Sequence, residues 1–268
     1  MAGFNLGNHR RLVIKVGSSL LVNDAGQVNR KWLQSLADDV AKLQADGHEL
    51  LVVSSGAIAI GSAGLGLNKR RASLADLQAA AAAGQVQLVH AYQESLARHD
   101  VMAAQVLLTP GDTENRRRFL NARATLSRLI ERSVVPVINE NDTVATEEIR
   151  YGDNDRLAAR VSQLVMADAL ILLSDVDGLY DADPTQNESA RHIPEVQKIS
   201  DEILAVAGET RSDIGSGGMA TKVQAARIAT FAGCSTVVTD GAIEKPLSAL
   251  AAAGRHTVFR AQGTPAAA

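Results

Sequence analysis

Two lysines far apart in the chain each stand beside a glycine-rich loop. Lys15 lies inside the apolar run Arg11-Leu12-Val13-Ile14-Lys15-Val16, and Gly17-Ser18-Ser19 follows at once. A lysine on a buried strand face is costly unless a partner meets it. Two readings stand: an edge strand with Lys15 in water, or a central strand whose carboxyl end aims Lys15 at an anion, with Gly17 permitting close approach. The second lysine closes Ser216-Gly217-Gly218-Met219-Ala220-Thr221-Lys222. Val223, Ala226, Ile228 and Ala229 continue it as an apolar-periodic helix that starts at the glycines. A helix N-terminus offers unpaired N–H donors and a positive dipole end, which suits a phosphate; the bland alternative is a plain turn. The common P-loop pattern is absent. Two lysines at two such loops would flank a phosphoryl group from both sides, which is how its transfer is stabilised.

Two clusters of short amides and carboxylates accompany them: Asn139-Glu140-Asn141-Asp142 and Gly152-Asp153-Asn154-Asp155. Turns and caps account for part of this, with Asp153 or Asn154 capping a helix through Ala158, Val161 and Leu164. Recognition of a zwitterionic amino acid needs acceptors for its ammonium group and N–H donors for its acid. Asp142, Asn154 and the Ser55-Gly56-Ala57 turn offer both kinds. Asp155 would hold the lysines by charge pairing. Ser174 and Asp175 end another apolar run and would line a nucleotide. Asp175-Val176-Asp177-Gly178 starts like a calcium loop, but its glycine falls fourth where that loop needs it sixth. Ser54-Ser55-Gly56 lacks the G-x-S-x-G hydrolase elbow. With no histidine placed as a base, transfer to an already ionised carboxylate is favoured, giving an acyl phosphate; Asp155 and Asp142 remain available as bases.

The elements that must position these groups follow from the apolar pattern. Short β-branched or aliphatic runs at 12–16, 50–53, 101–108, 134–138, 170–173, 236–238 and 257–259 alternate with helical patterns at 31–45, 73–98 and 115–132. Such alternation predicts an α/β fold: a three-layer sandwich around a central, mostly parallel sheet. These sheets bind ligands beyond the carboxyl ends of their strands, where the polar loops of this sequence fall.

Composition narrows the classes. The 268 residues are 46% hydrophobic and 3% aromatic with a formal charge of −3, which argues against a nucleic-acid partner. Arg116-Arg117-Arg118 reads as the solvated or partner-facing side of a helix. Cys234 is the only cysteine, so intrachain disulfides are excluded; it reads as a buried, inert thiol. Neither a membrane-length apolar stretch nor a signal-peptide core is present, and a cytoplasmic location is expected.

At these motifs the chain resembles the amino acid kinase family, in the branch that phosphorylates glutamate. The carrying segments are Val13–Ser19, Ser54–Gly61, Arg118–Arg123, Val135–Asp142, Gly152–Asp155, Ser174–Tyr180 and Gly217–Met219. The Asn-Glu-Asn-Asp and Gly-Asp-Asn-Asp pair is particular to that branch, whereas siblings usually carry Gly-Gly after the first lysine. The resemblance implies a single domain over 1–263, its N-terminal part binding glutamate and its C-terminal part ATP, with 264–268 a frayed tail. It implies ATP-dependent phosphorylation of the glutamate side chain, the first step of proline synthesis, with Mg2+ bridging the phosphates and no protein-held metal. Lys15 and Lys222 would stabilise the phosphoryl group and Asp155 would organise them. Ser55, Gly56, Ala57, Asp142 and Asn154 would bind glutamate. Lys15, Gly17, Ser174, Asp175 and Ser216 through Lys222 would hold ATP. Feedback inhibition by proline, a homodimer or homotetramer, and contact with the next pathway enzyme are also implied. Serines replace the commoner threonines at 18, 54, 174 and 216, each keeping the hydroxyl. Many bacterial members add a C-terminal PUA domain, and this chain ends at Ala268 before one could begin; assembly and regulation are expected to be affected, catalysis not. A sibling kinase for another acid, carbamate or a nucleoside monophosphate is the competing assignment. A non-catalytic binding protein on the same fold would have little reason to keep Lys15, Lys222 and Asp155 together.

Overall fold

The computed structural model describes residues 4–68, 71–144, 153–209 and 218–263. The first half runs β1 (Arg11–Val16), α1 (Ser18–Leu21), α2 (Arg30–Ala45), β2 (Glu49–Ser54), α3 (Ala57–Gly64), α4 (Leu74–Ala97), β3 (Ala103–Leu108), α5 (Pro110–Glu114), α6 (Arg116–Glu131) and β4 (Val135–Glu140). A 3-10 turn at Asp142–Val144 follows. Then come α7 (Asp153–Leu164), β5 (Ala169–Ser174), β6 (Leu179–Tyr180), β7 (His192–Ile193), β8 (Glu195–Val196) and α8 (Asp201–Glu209). The chain ends with α9 (Met219–Phe231), β9 (Ser235–Asp240), α10 (Pro246–Ala251) and β10 (His256–Phe259).

Eight strands form one sheet in the order β3-β4-β2-β1-β5-β9-β10-β8, and β6 pairs with β7 separately. Within the large sheet only the β9–β10 pairing is antiparallel. The expected α/β architecture is therefore what forms. The helix expected over 115–132 forms as α6, capped by Asn115, which accepts a hydrogen bond from the Arg118 backbone N–H; the short α5 before it was not expected. The glycine loop after Lys15 tightens into one helical turn, α1, at Ser18.

Strand periodicity decides which residues can meet. Successive side chains of a strand point to opposite faces. Leu12, Ile14 and Val16 of β1 pack in one core with Trp32, Leu33 and Leu36 of α2 and Leu88 and Tyr92 of α4. Val13 joins the opposite core, with Ala158 and Val161 of α7 and Val223 and Ala226 of α9. Lys15 shares the parity of Val13 and so emerges on the α7/α9 face.

Helices α3 and α4 cross almost in backbone contact. A Cβ on Gly61 would lie 1.8 Å from the Ala80 carbonyl oxygen, and one on Gly84 1.9 Å from that of Ala57. No flexible side-chain tip could yield there. Gly84→Ala is expected to lower unfolding stability by about 2–3 kcal/mol through forced separation of the helices, read from the urea midpoint; parent-like stability would contradict this packing.

Cys234 is buried, and burial pushes its thiol up to about 12, in keeping with an unreactive sulfur. Among the described residues no helix is long and apolar enough to cross a membrane. Gly152, Ser216, Gly217 and the expected tail at 264–268 lie outside the described residues.

Candidate active site

Lys15 sits in a strand flanked on both sides, β2 and β5, and only 5% of it is exposed. The edge-strand reading therefore falls. Its Nζ lies 2.6 Å from Oδ1 of Asp155, the third residue of α7. Asp155 is wholly buried, and its Oδ2 lies 3.7 Å from Nζ of Lys222 in the first turn of α9. The Thr221 hydroxyl donates to the same oxygen at 2.9 Å. One carboxylate thus gathers two lysines from opposite ends of the chain.

Burial and charge pairing oppose each other at Asp155 and Lys222. Burial alone would raise the Asp155 carboxyl, but the Lys15 and Lys222 charges and the hydrogen bonds from Lys15 and Thr221 outweigh it and hold it below the usual carboxylate range. Such a group is a poor base. Lys222 is pulled below the ordinary lysine value, first by burial and also by the like charge of Lys15, with Asp155 and Asp175 opposing. Asp155 pairs with both ammonium groups, and the two positive charges brought together here would favour an anionic group in front of them.

The neighbouring residue carries the site toward β2. Asn154 donates from Nδ2 to Ser55 Oγ at 2.9 Å, while its buried Oδ1 has no hydrogen-bond partner among the described residues. This corrects the capping role expected of it: Asn154 already lies inside α7, and its side chain turns to the β2–α3 loop. The unpaired oxygen is a ready acceptor for an ammonium group. Ser55 and Gly56 are half-buried at the start of α3, where Gly56 adopts a left-handed φ of 107° and provides no side-chain cap. The first N–H groups of α3, from Ala57 onward, have no carbonyl partner within their own helix, the kind of donor set that suits an acid group. Asp142, nearly buried, begins the turn after β4.

On the other flank, α9 starts at Met219 with Gly218 as a cap lacking a side chain, and Ala220, Thr221 and Lys222 complete its first turn. Ser174 ends β5, its hydroxyl donating to Asp175 at 3.0 Å. Gly17 has an ordinary φ of −70°, and a Cβ there would meet only ordinary contacts, one of them Lys15 Nζ at 3.9 Å. The backbone does not demand glycine here; a side chain would crowd the space before the ammonium.

Several supporting residues escaped the sequence reading. Tyr92, buried on α4, donates to Ser54 Oγ at 3.1 Å. Gln85, also on α4, accepts from Asn139 Nδ2 at 2.7 Å. The one available signal was polar side chains seven positions apart on the otherwise apolar face of an Ala-rich helix. Among the described residues no cluster of three histidine, cysteine or carboxylate side chains could hold a metal ion.

A family model described as the amino acid kinase family matches residues 10–240. A protein of Caulobacter vibrioides named glutamate 5-kinase is 55% identical over 262 residues, covering 97% of this chain and 70% of its own length. A Paramagnetospirillum magneticum protein of the same name is 56% identical over 257 residues, covering 96% of this chain and 69% of its own length. Among solved structures, carbamate kinase from Giardia lamblia bound to AMP-PNP is similar with a TM-score of 0.65 at 15% identity, over 93% of this chain and 98% of that one. UMP kinase from Ureaplasma parvum gives 0.63 at 15% identity, over 94% and 98%. These two likenesses concern the fold alone.

Proposed function

The chain belongs to the amino acid kinase family, and from that premise we propose that it transfers the γ-phosphoryl group of ATP to the side-chain carboxylate of L-glutamate. The products are L-glutamyl 5-phosphate and ADP, and the reaction opens proline synthesis. The carrying observation is the buried Lys15–Asp155–Lys222 cluster lying next to the Asn154–Ser55 pair.

A side-chain carboxylate oxygen attacks the γ-phosphorus, the bond from phosphorus to the β,γ-bridging oxygen breaks, and ADP leaves with that electron pair. The acceptor is ionised at neutral pH, so no base is needed. That fits Asp155, which two cations and Thr221 hold as an anion. Lys15 and Lys222 neutralise the charge that spreads over the equatorial oxygens. Ser55, Asn154 and Asp142 receive the amino acid, with the acid group on the N–H groups of Gly56 and Ala57. The nucleotide would arrive as MgATP, the metal supplying positive charge to its phosphates. It is held by Gly17, Ser174, Asp175 and the loop from Ser216 to Lys222. The domain assignment is one unit over 1–263 in the cytoplasm, with glutamate before the first half and nucleotide before the second. Inhibition by proline at the glutamate site, a homodimer or homotetramer, and contact with the next pathway enzyme belong to the same reading.

Hydroxylamine trapping tests it. With glutamate and MgATP the enzyme should form γ-glutamyl hydroxamate, and less of it when proline is added. No hydroxamate, together with faster ADP release on carbamate or UMP, would replace this reading with a sibling kinase.

A further inference from the structure

Helix α4 has a second role written on its buried face. Strand parity sends Ser54 of β2, with Leu50 and Val52, and Asn139 of β4, with Val135 and Val137, toward the core that contains α4. There Tyr92 and Gln85, two helical turns apart, each take one of these strand-end residues. Tyr92 donates to Ser54 Oγ at 3.1 Å, and Ser54 donates onward to the Ser55 carbonyl at 3.2 Å. The Ser55 N–H is meanwhile tied to the Val16 carbonyl at 3.1 Å.

A trans peptide is planar, so fixing the Ser55 C=O fixes the Gly56 N–H on the opposite side. The second arm has a determined orientation too. Asn139 Oδ1 accepts from the Glu140 backbone N–H at 2.9 Å, which commits Asn139 Nδ2 to Gln85 Oε1 at 2.7 Å. Among the described residues Gln85 Nε2 then finds no partner and is buried. An amide held at that cost reads as a fixed strut for the end of β4, from which Asp142 follows.

We propose that Tyr92, through Ser54, is a positioning residue that orients the Gly56 N–H toward the acid group of the amino acid, with Gln85 doing the same for the turn carrying Asp142. This rests on the glutamate-kinase reading, and it makes α4 a clamp on the amino-acid half of the site alone. The Tyr92 hydroxyl is pushed above the ordinary tyrosine range, first by burial, so it stays protonated and remains a donor.

The test is steady-state kinetics of Tyr92→Phe, Ser54→Ala, their double variant and Gln85→Met, with melting temperatures beside them. Tyr92→Phe should raise the glutamate KM about 5-fold, the scale of one net hydrogen bond, with the ATP KM and melting temperature near the parent's. The double variant should be no worse than Ser54→Ala alone, since both break one relay. Gln85→Met should raise the glutamate KM similarly. An unchanged glutamate KM in Tyr92→Phe, additive effects in the double variant, or equal rises in both KM values would overturn the proposal. A parent enzyme inactive on glutamate would overturn instead the function on which it rests.

Discussion

Lys15→Ala and Lys222→Ala should each lower turnover by about 100-fold or more, the scale of losing one charge-stabilising donor. The reason is geometric. Both lysines are buried, each residue 5% exposed, and both are tethered to Asp155, so water cannot readily replace either ammonium group. In the proposed reaction each would serve charge that grows as the phosphoryl group moves, so kcat should fall more than glutamate affinity. Single-turnover phosphoryl transfer reads this directly. Rates within a few-fold of the parent for both variants would remove the lysines from the chemistry.

Asp155→Ala is expected to be harsher on the fold. It leaves two buried cations facing each other with their shared counter-charge gone, a loss of about 3–5 kcal/mol for breaking a buried pair. The pH dependence has a definite sign. Because the Asp155 carboxyl is depressed in the folded state, its contribution is complete above the unfolded carboxyl value, about 3.9. It is lost as pH falls below that value through the folded one. Lys222 is depressed as well, so destabilisation from its buried charge is relieved as pH rises through the folded value toward the unfolded one, about 10.4. The stability gap between parent and Asp155→Ala should therefore be widest near neutrality and narrow toward both extremes, as urea midpoints across the pH range would record. A gap that does not change with pH would mean that the triad is not charged as described. Loss of turnover should accompany it, since the lysines lose their anchor.

Much of this site was legible because its chemistry is local. A lysine inside an apolar run, glycines before a helix, and two Asn/Asp clusters are visible without a fold. The parallel sheet followed from aliphatic runs such as that of residues 170–173, now wholly buried in β5. What was hidden depends on faces and crossings. Asn154 reads either as a cap or as a recognition group, and the bond to Ser55, 99 positions away, decides against the cap. Tyr92 and Ser54 meet because strand parity and the roll of α4 agree, and sequence supplies each without the other. Gly61 and Gly84 look like weaknesses in helices until each is seen facing the other helix's backbone.

A crystal structure with ADP, glutamate and a planar aluminium fluoride in place of the moving phosphoryl group tests the central claim most directly. The account predicts the ammonium groups of Lys15 and Lys222 both within hydrogen-bond reach of its fluorines, about 3 Å, one from each side, with Asp155 still joining them. Either lysine turned away from the fluoride in a closed site would contradict it.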